Sequence, residues 1–123
     1  MSTIKVGTLL AADGSTTTQP SIPALDQRMA RAWVNFNGSG TVAIRDDYGV
    51  SSITDNTTGT YTVNFSTAMN NANYIVTLVV GDDTLNATLH SGFVTTGSYR
   101  IHVKNPSNAF TDTSLCVSSV FGS

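Results

Sequence analysis

Along most of this chain apolar and polar residues alternate in short runs broken by Asn, Gly and Asp. Between residues 30 and 65 three runs place every second side chain on an apolar face: Ala32, Val34 and Phe36; Val42 and Ile44; Tyr61, Val63 and Phe65. A period of two is that of a strand with one wet face, so the stretch predicts a β-meander. Its connections, Asn37-Gly38-Ser39-Gly40 and Asp55-Asn56-Thr57-Thr58-Gly59, are rich in residues that tolerate the positive φ of tight turns. Trp33 falls on the alternation opposite to Ala32, Val34 and Phe36. That places its indole over a sheet edge, against another subunit, or in solvent as a binding group.

Downstream, NYIVTLVV is nearly continuous in apolar residues, which predicts a strand covered on both faces, in the sandwich centre or under a partner. Asp82-Asp83 predicts a hairpin connection, and Ala87 to Val94 a further strand. Tyr99, Ile101 and Val103 alternate with Arg100, His102 and Lys104 in the clearest half-wet strand of this region. Pro106 assigns the following segment to a loop, and SLCVSSVF closes the chain as a last strand. Upstream, residues 3–10 alternate well enough for a strand, with Ile4, Val6 and Leu10 on one side. A polar segment carrying Pro20 and Pro23 separates this strand from the rest. Such a tethered strand can fold back, stay free, or pair with a neighbouring subunit. Leu25, Met29 and Ala32 fall near helical spacing and predict one or two helical turns. Roughly seven to nine strands about a dozen residues apart predict an all-β antiparallel β-sandwich, jelly-roll or Ig-like. The arm and linker would occupy residues 1–23 and the sandwich residues 24–123.

Composition strengthens the all-β reading. Only 11% of residues are charged and Glu is absent, while Thr, Ser and Asn, which serve helices poorly, are abundant. A surface so low in charge repels its own copies weakly and suits self-packing, although ordinary sampling of a β-rich sequence explains it equally well. The 123 residues suffice for one core-forming domain. A net charge of −2 and a pI near 5.3 give no basic footprint for nucleic acid. The apolar runs are too short to span a bilayer. Without a basic-then-apolar leader at MSTIKVGTLL, the chain is expected to be made and first used inside a cell. Cys116 stands alone, cannot form an intrachain disulfide, and reads as a small buried hydrophobe.

Residues 32–69, AWVNFNGSGTVAIRDDYGVSSITDNTTGTYTVNFSTAM, resemble a module of tail-fibre and related virion proteins of tailed bacteriophages, marine and cyanobacterial ones above all. Residues 3–25, TIKVGTLLAADGSTTTQPSIPAL, are similar to the start of short proteins from the same setting. The resemblance covers roughly the first half of the chain. It implies a non-enzymatic virion structural protein, assembled in the host bacterial cytoplasm. The protein would be a homotrimer contacting other virion proteins. Foremost is a tail-fibre or fibre-tip component in host-surface attachment, next a capsid decoration or cement protein. The module brings no catalytic residues with it.

For a small glycan-cleaving enzyme, the third and lowest reading, the sequence offers only the pairs Asp46-Asp47 and Asp82-Asp83. Both stand at turn-like positions where Asp bonds its own backbone. His90 and His102 lack zinc-ligand spacing. The expected state is a solvent-facing His102 and a hydroxyl-bonded His90, although antiparallel neighbouring strands could bring the two together. No cofactor, metal or catalytic residue is assigned. For binding a host polysaccharide or protein, the candidates are exposed-loop and aromatic positions: Trp33, Asn37, Tyr48, Asn56, Asp82, Asp83 and Asn105. Ile4, Val6 and Leu10 are the candidates for an oligomerising arm.

Overall fold

The computed structural model describes residues 3–15 and 28–122. Among the described residues are eight strands: β1 Ala32–Asn37, β2 Ala43–Tyr48, β3 Val50–Thr57, β4 Thr60–Phe65, β5 Ile75–Val80, β6 Asn86–Leu89, β7 Ser98–Lys104 and β8 Cys116–Phe121. They form two four-stranded antiparallel sheets, β2-β1-β8-β5 (sheet A) and β3-β4-β7-β6 (sheet B). The two sheets make a β-sandwich, as the alternation predicts.

The core is what the period-two pattern selects. Ala32, Val34 and Phe36 from β1 and Cys116, Ser118 and Val120 from β8 face Tyr61, Val63 and Phe65 from β4 and Tyr99, Ile101 and Val103 from β7. Burying aliphatic and aromatic side chains of this size contributes about 1.5–3 kcal/mol each. The Phe36 and Tyr61 rings meet edge to face at 5.3 Å, and Phe65 meets Tyr74 in the same way at 5.4 Å. Cys116 is fully buried, and burial pushes its thiol up to about 12. The chain passes from β2 in sheet A to β3 in sheet B through Gly49 alone, at φ 71°. A Cβ there would lie 2.7 Å from the Arg31 carbonyl oxygen, so only glycine makes this crossing.

One end of the sandwich is tied by polar contacts. The Asp112 carboxylate accepts from the Gly59 N–H (2.8 Å) and lies 3.0 Å from the Tyr61 hydroxyl, which also reaches the Gly38 carbonyl at 2.9 Å. Gly38 N–H donates to Thr113 O, and Gly81 N–H to Leu115 O. The segment Asp112–Leu115 thus binds the β1–β2, β3–β4 and β5–β6 connections together.

Several expectations are corrected. Of the alternatives for residues 3–10, folding back as a strand on the same domain does not occur among the described residues, where Ile4, 87% exposed, with Val6, Leu9 and Leu10 meets little of the domain. Of the predicted helical turns, residues 24–27 lie outside the described residues. Residues 28–31 are a turn and bend, and Ala32 opens β1, because Arg31 N–H already bonds Val120 O and begins the sheet. The strand β3 replaces much of the predicted connection before Gly59; its weak alternation carries two register irregularities against β4. Asp46 and Asp47 stand in β2, not in a turn, beside a bulge where β1 passes from Asn35 to Phe36. Asp82-Asp83 is no hairpin: it joins β5 in sheet A to β6 in sheet B. And β5 is an edge strand with one uncovered face, so its apolar run is not the sandwich centre.

Candidate functional site

The two outer faces of the sandwich differ in chemistry, and the registers define what each displays. On sheet A the outward positions form cross-strand rows: Tyr48, Trp33, Ser119 and Thr77 in one; Asp46, Asn35, Val117 and Val79 in the next; Phe121 beside Ile75 at the end. Ile75 is 64% and Val79 63% exposed, and Trp33 and Tyr48 are exposed as well. Arg45 is drawn aside to the Ser114 carbonyl and to Asn35 Oδ1, and the Thr77 and Ser119 hydroxyls bond each other. What remains open is largely apolar. Beyond it runs the free edge of β5, six residues without a charge or a proline. A flat apolar edge of this kind is a template for an added strand.

Sheet B turns the opposite chemistry outward. The Thr54–Thr62 and Ser52–Asn64 pairs give it hydroxyls and amides, knitted by Asn64 Nδ2 to Thr54 Oγ1 (3.0 Å) and Ser52 Oγ (3.1 Å). Along β7, Arg100, His102 and Lys104 point outward because their neighbours Tyr99, Ile101 and Val103 are buried. The cations are held in place. Arg100 lies 3.6 Å from the Phe93 ring centroid and its Nε reaches Thr62 Oγ1 at 3.4 Å, while Lys104 Nζ lies 4.8 Å from the Phe110 centroid. His90 stacks between its neighbours, 4.8 Å from Phe93 and 4.5 Å from His102, and Phe110 meets His102 edge-on at 5.0 Å. Burial and the positive charges of His90, Lys104 and Arg100 lower the His102 pKa.

The candidates named from sequence do not converge on one site. Trp33 and Tyr48 are brought side by side on sheet A. Asn56 lies on sheet B, its Nδ2 donating to Thr62 Oγ1 at 2.7 Å. The loops carrying Asn37, Asp82 with Asp83, and Asn105 share the tied end of the sandwich, yet their oxygens serve local turns. Asn37 Oδ1 accepts from Ser39 N–H, Asp82 Oδ1 from the Thr84 N–H and hydroxyl, and Asn105 Oδ1 from Ser107 and Ala109 N–H. The Thr84 bonds hold the Asp82 carboxyl below its ordinary range. Of the histidine expectations, His102 does point outward and the two rings are brought together, but His90 is not hydroxyl-bonded: among the described residues its buried Nδ1 has no hydrogen-bond partner. Sequence reasoning passed over Arg100, Lys104, Phe93 and Phe110. The signal for the two cations was their period of two with no acid between them; nothing local announced the rings, which arrive from other segments.

Among the described residues no group of three or more His, Cys, Asp or Glu is placed to hold a metal ion. No helix among them is long and apolar enough to cross a membrane. The comparisons with family models, curated proteins and solved structures give no match to this chain.

Proposed function

We propose that the chain is a non-enzymatic structural protein of a phage virion, a tail-fibre or fibre-tip component that works as a homo-oligomer, a trimer by resemblance. The observation that carries self-assembly is the uncovered apolar face of sheet A, ending in the uncharged free edge of β5. The occupant proposed for that edge is the segment 3–10 of a second copy. Its Ile4, Val6, Leu9 and Leu10 are exposed and its backbone makes no strand pairing of its own. Joined edge to edge, the two segments would satisfy each other's backbone groups and bury apolar side chains that are now wet. The virion setting rests on the resemblance of residues 3–25 and 32–69.

Light scattering on the purified chain tests the assembly: a trimer at micromolar concentration is expected, and a monomer refutes it. Immunogold labelling of intact particles then separates the roles. Gold on fibres supports the reading, whereas gold on the head replaces it with a capsid decoration protein that uses the same face against shell subunits.

A further inference from the structure

We infer that the outer face of sheet B is a binding site for an acidic polysaccharide, with Arg100, His102 and Lys104 as its anion-recognising row. The inference deepens the attachment reading and rests on it only for where such a polymer would be met. The geometry stands by itself. Outward side chains along a strand repeat about every 6.6–7 Å, so β7 sets three nitrogen groups in line. The described chain gives Arg100 and Lys104 aromatic and hydroxyl contacts but no carboxylate. A cation without an acidic neighbour, held over a ring, is ready for an outside anion and loses less rotamer freedom on meeting one.

The surroundings narrow the class of ligand. Beside the row stand Thr62, Thr54, Asn64, Asn56 and, across β6, Thr88 opposite His102. Hydroxyls and amides in that density match the hydroxyls of a sugar chain. Nucleic acid fits less well, since a single strand gains much of its affinity by stacking bases on open aromatic faces. Here Phe93, 44% exposed, carries Arg100 and His90, and Phe110, 46% exposed, carries Lys104 and meets His102 edge-on, so a base stacked over the cation-bearing face of either ring would have to displace the chain's own groups. The rings position the cations rather than offer themselves. His102, crowded by like charges, adds its proton when an anion arrives to offset them.

The test uses the full-length protein in affinity electrophoresis through gels containing dextran sulfate, polygalacturonate, neutral dextran or single-stranded poly-dT. Retardation by the two acidic polysaccharides and not by neutral dextran is expected. Salt of about 0.5 M, where the screening length falls to roughly 4 Å, should abolish it. The double variant Arg100→Gln/Lys104→Gln should weaken binding on the order of tenfold. Arg45→Gln, on sheet A, should leave it unchanged and controls for loss of one positive charge. Absence of retardation by either acidic polymer, or retardation unaffected by the double variant, overturns the proposal. Tighter binding to poly-dT overturns the choice of ligand. Light scattering on the same samples reports assembly independently, so a chain that assembles but binds no polysaccharide defeats this inference alone.

Discussion

In the middle of the sandwich a buried hydroxyl pair, Tyr99 Oη and Ser118 Oγ, joins the two sheets at 2.5 Å. Both residues are essentially inaccessible, at 0% and 1% exposure, and among the described residues neither side-chain oxygen has another hydrogen-bond partner. Burial pushes the Tyr99 phenol well above its ordinary range, so the pair stays neutral across the working pH range. Tyr99→Phe strips the partner from Ser118 and leaves a buried hydroxyl unsatisfied; Ser118→Ala does the same to Tyr99. Each single change should cost about 1–3 kcal/mol. For a domain of this size that is a fall in Tm of roughly 3–6 °C per kcal/mol. The double variant removes both oxygens and leaves no orphan. Its cost should therefore fall short of the sum of the singles by about 1–2 kcal/mol. Urea denaturation followed by fluorescence, with unchanged m-values, measures all three. If the singles are neutral, or if the costs add to within about 0.5 kcal/mol, the hydroxyl pair is not what satisfies these buried groups.

Other perturbations follow from particular contacts. Gly38→Ala would put a Cβ 2.5 Å from Cζ and Oη of Tyr61 and 2.9 Å from Thr113 O, so a loss of about 1–3 kcal/mol is expected in the same urea assay. With its thiol pushed up to about 12 inside the core, Cys116 should ignore a thiol reagent in the native protein and react fully in denaturant. The folded pKa of His102 lies below its unfolded value of about 6.5, so the unfolded chain binds the extra proton. Stability should be full above that value and decline as pH falls through it, and His102→Asn should flatten the Tm profile between about pH 7 and 5. Val79→Lys, on the open face of the edge strand, should leave the monomer's Tm within a degree or two and convert the oligomer to monomer by light scattering.

Much of the fold was legible because three of its four central strands alternate cleanly. β1, β4 and β7 each put one residue in two into the core, and the pattern named those residues correctly. β3 escaped notice because SSITDNT has only Ile53 as an inward apolar anchor after Val50, and two register irregularities spoil even that period. For β5 only the sandwich-centre alternative fails, for a different reason: an apolar run is equally the mark of a strand in the middle of the core and of an edge with an open face, and periodicity does not tell them apart. The site was less legible still. Asn and Asp in loops attract attention as binding groups, yet Asn37, Asp82 and Asn105 spend their oxygens on the turns that made them probable there. The stacking of His90 on His102 depends on β6 pairing with β7 in the register that sets Thr88 opposite His102. That register joins residues 12 to 18 apart and is set by packing of Ala87 with the buried Val103 and Ile101, not by the histidines.

The contrast between the two outer faces bears on how assembly and attachment would combine. β5 offers Ile75, Thr77 and Val79 to one side of the molecule, and β7 offers Arg100, His102 and Lys104 to the other. Copies joined through sheet A and the β5 edge leave every sheet B uncovered and pointing away from the shared interface. A row of three nitrogen groups on an open surface binds an anionic polymer weakly, since exposed charge pairs are individually worth about 0–1 kcal/mol. A trimer repeats the row three times on one particle, and a polymer long enough to touch two rows gains avidity of about a hundredfold or more without any new contact. Assembly and attachment are then coupled through geometry alone. The Val79→Lys monomer, with sheet B untouched, should retain the site and lose most of the apparent affinity for long acidic chains, while its affinity for short fragments stays that of the oligomer. Equal loss for long and short chains would show instead that the oligomer interface shapes the site itself.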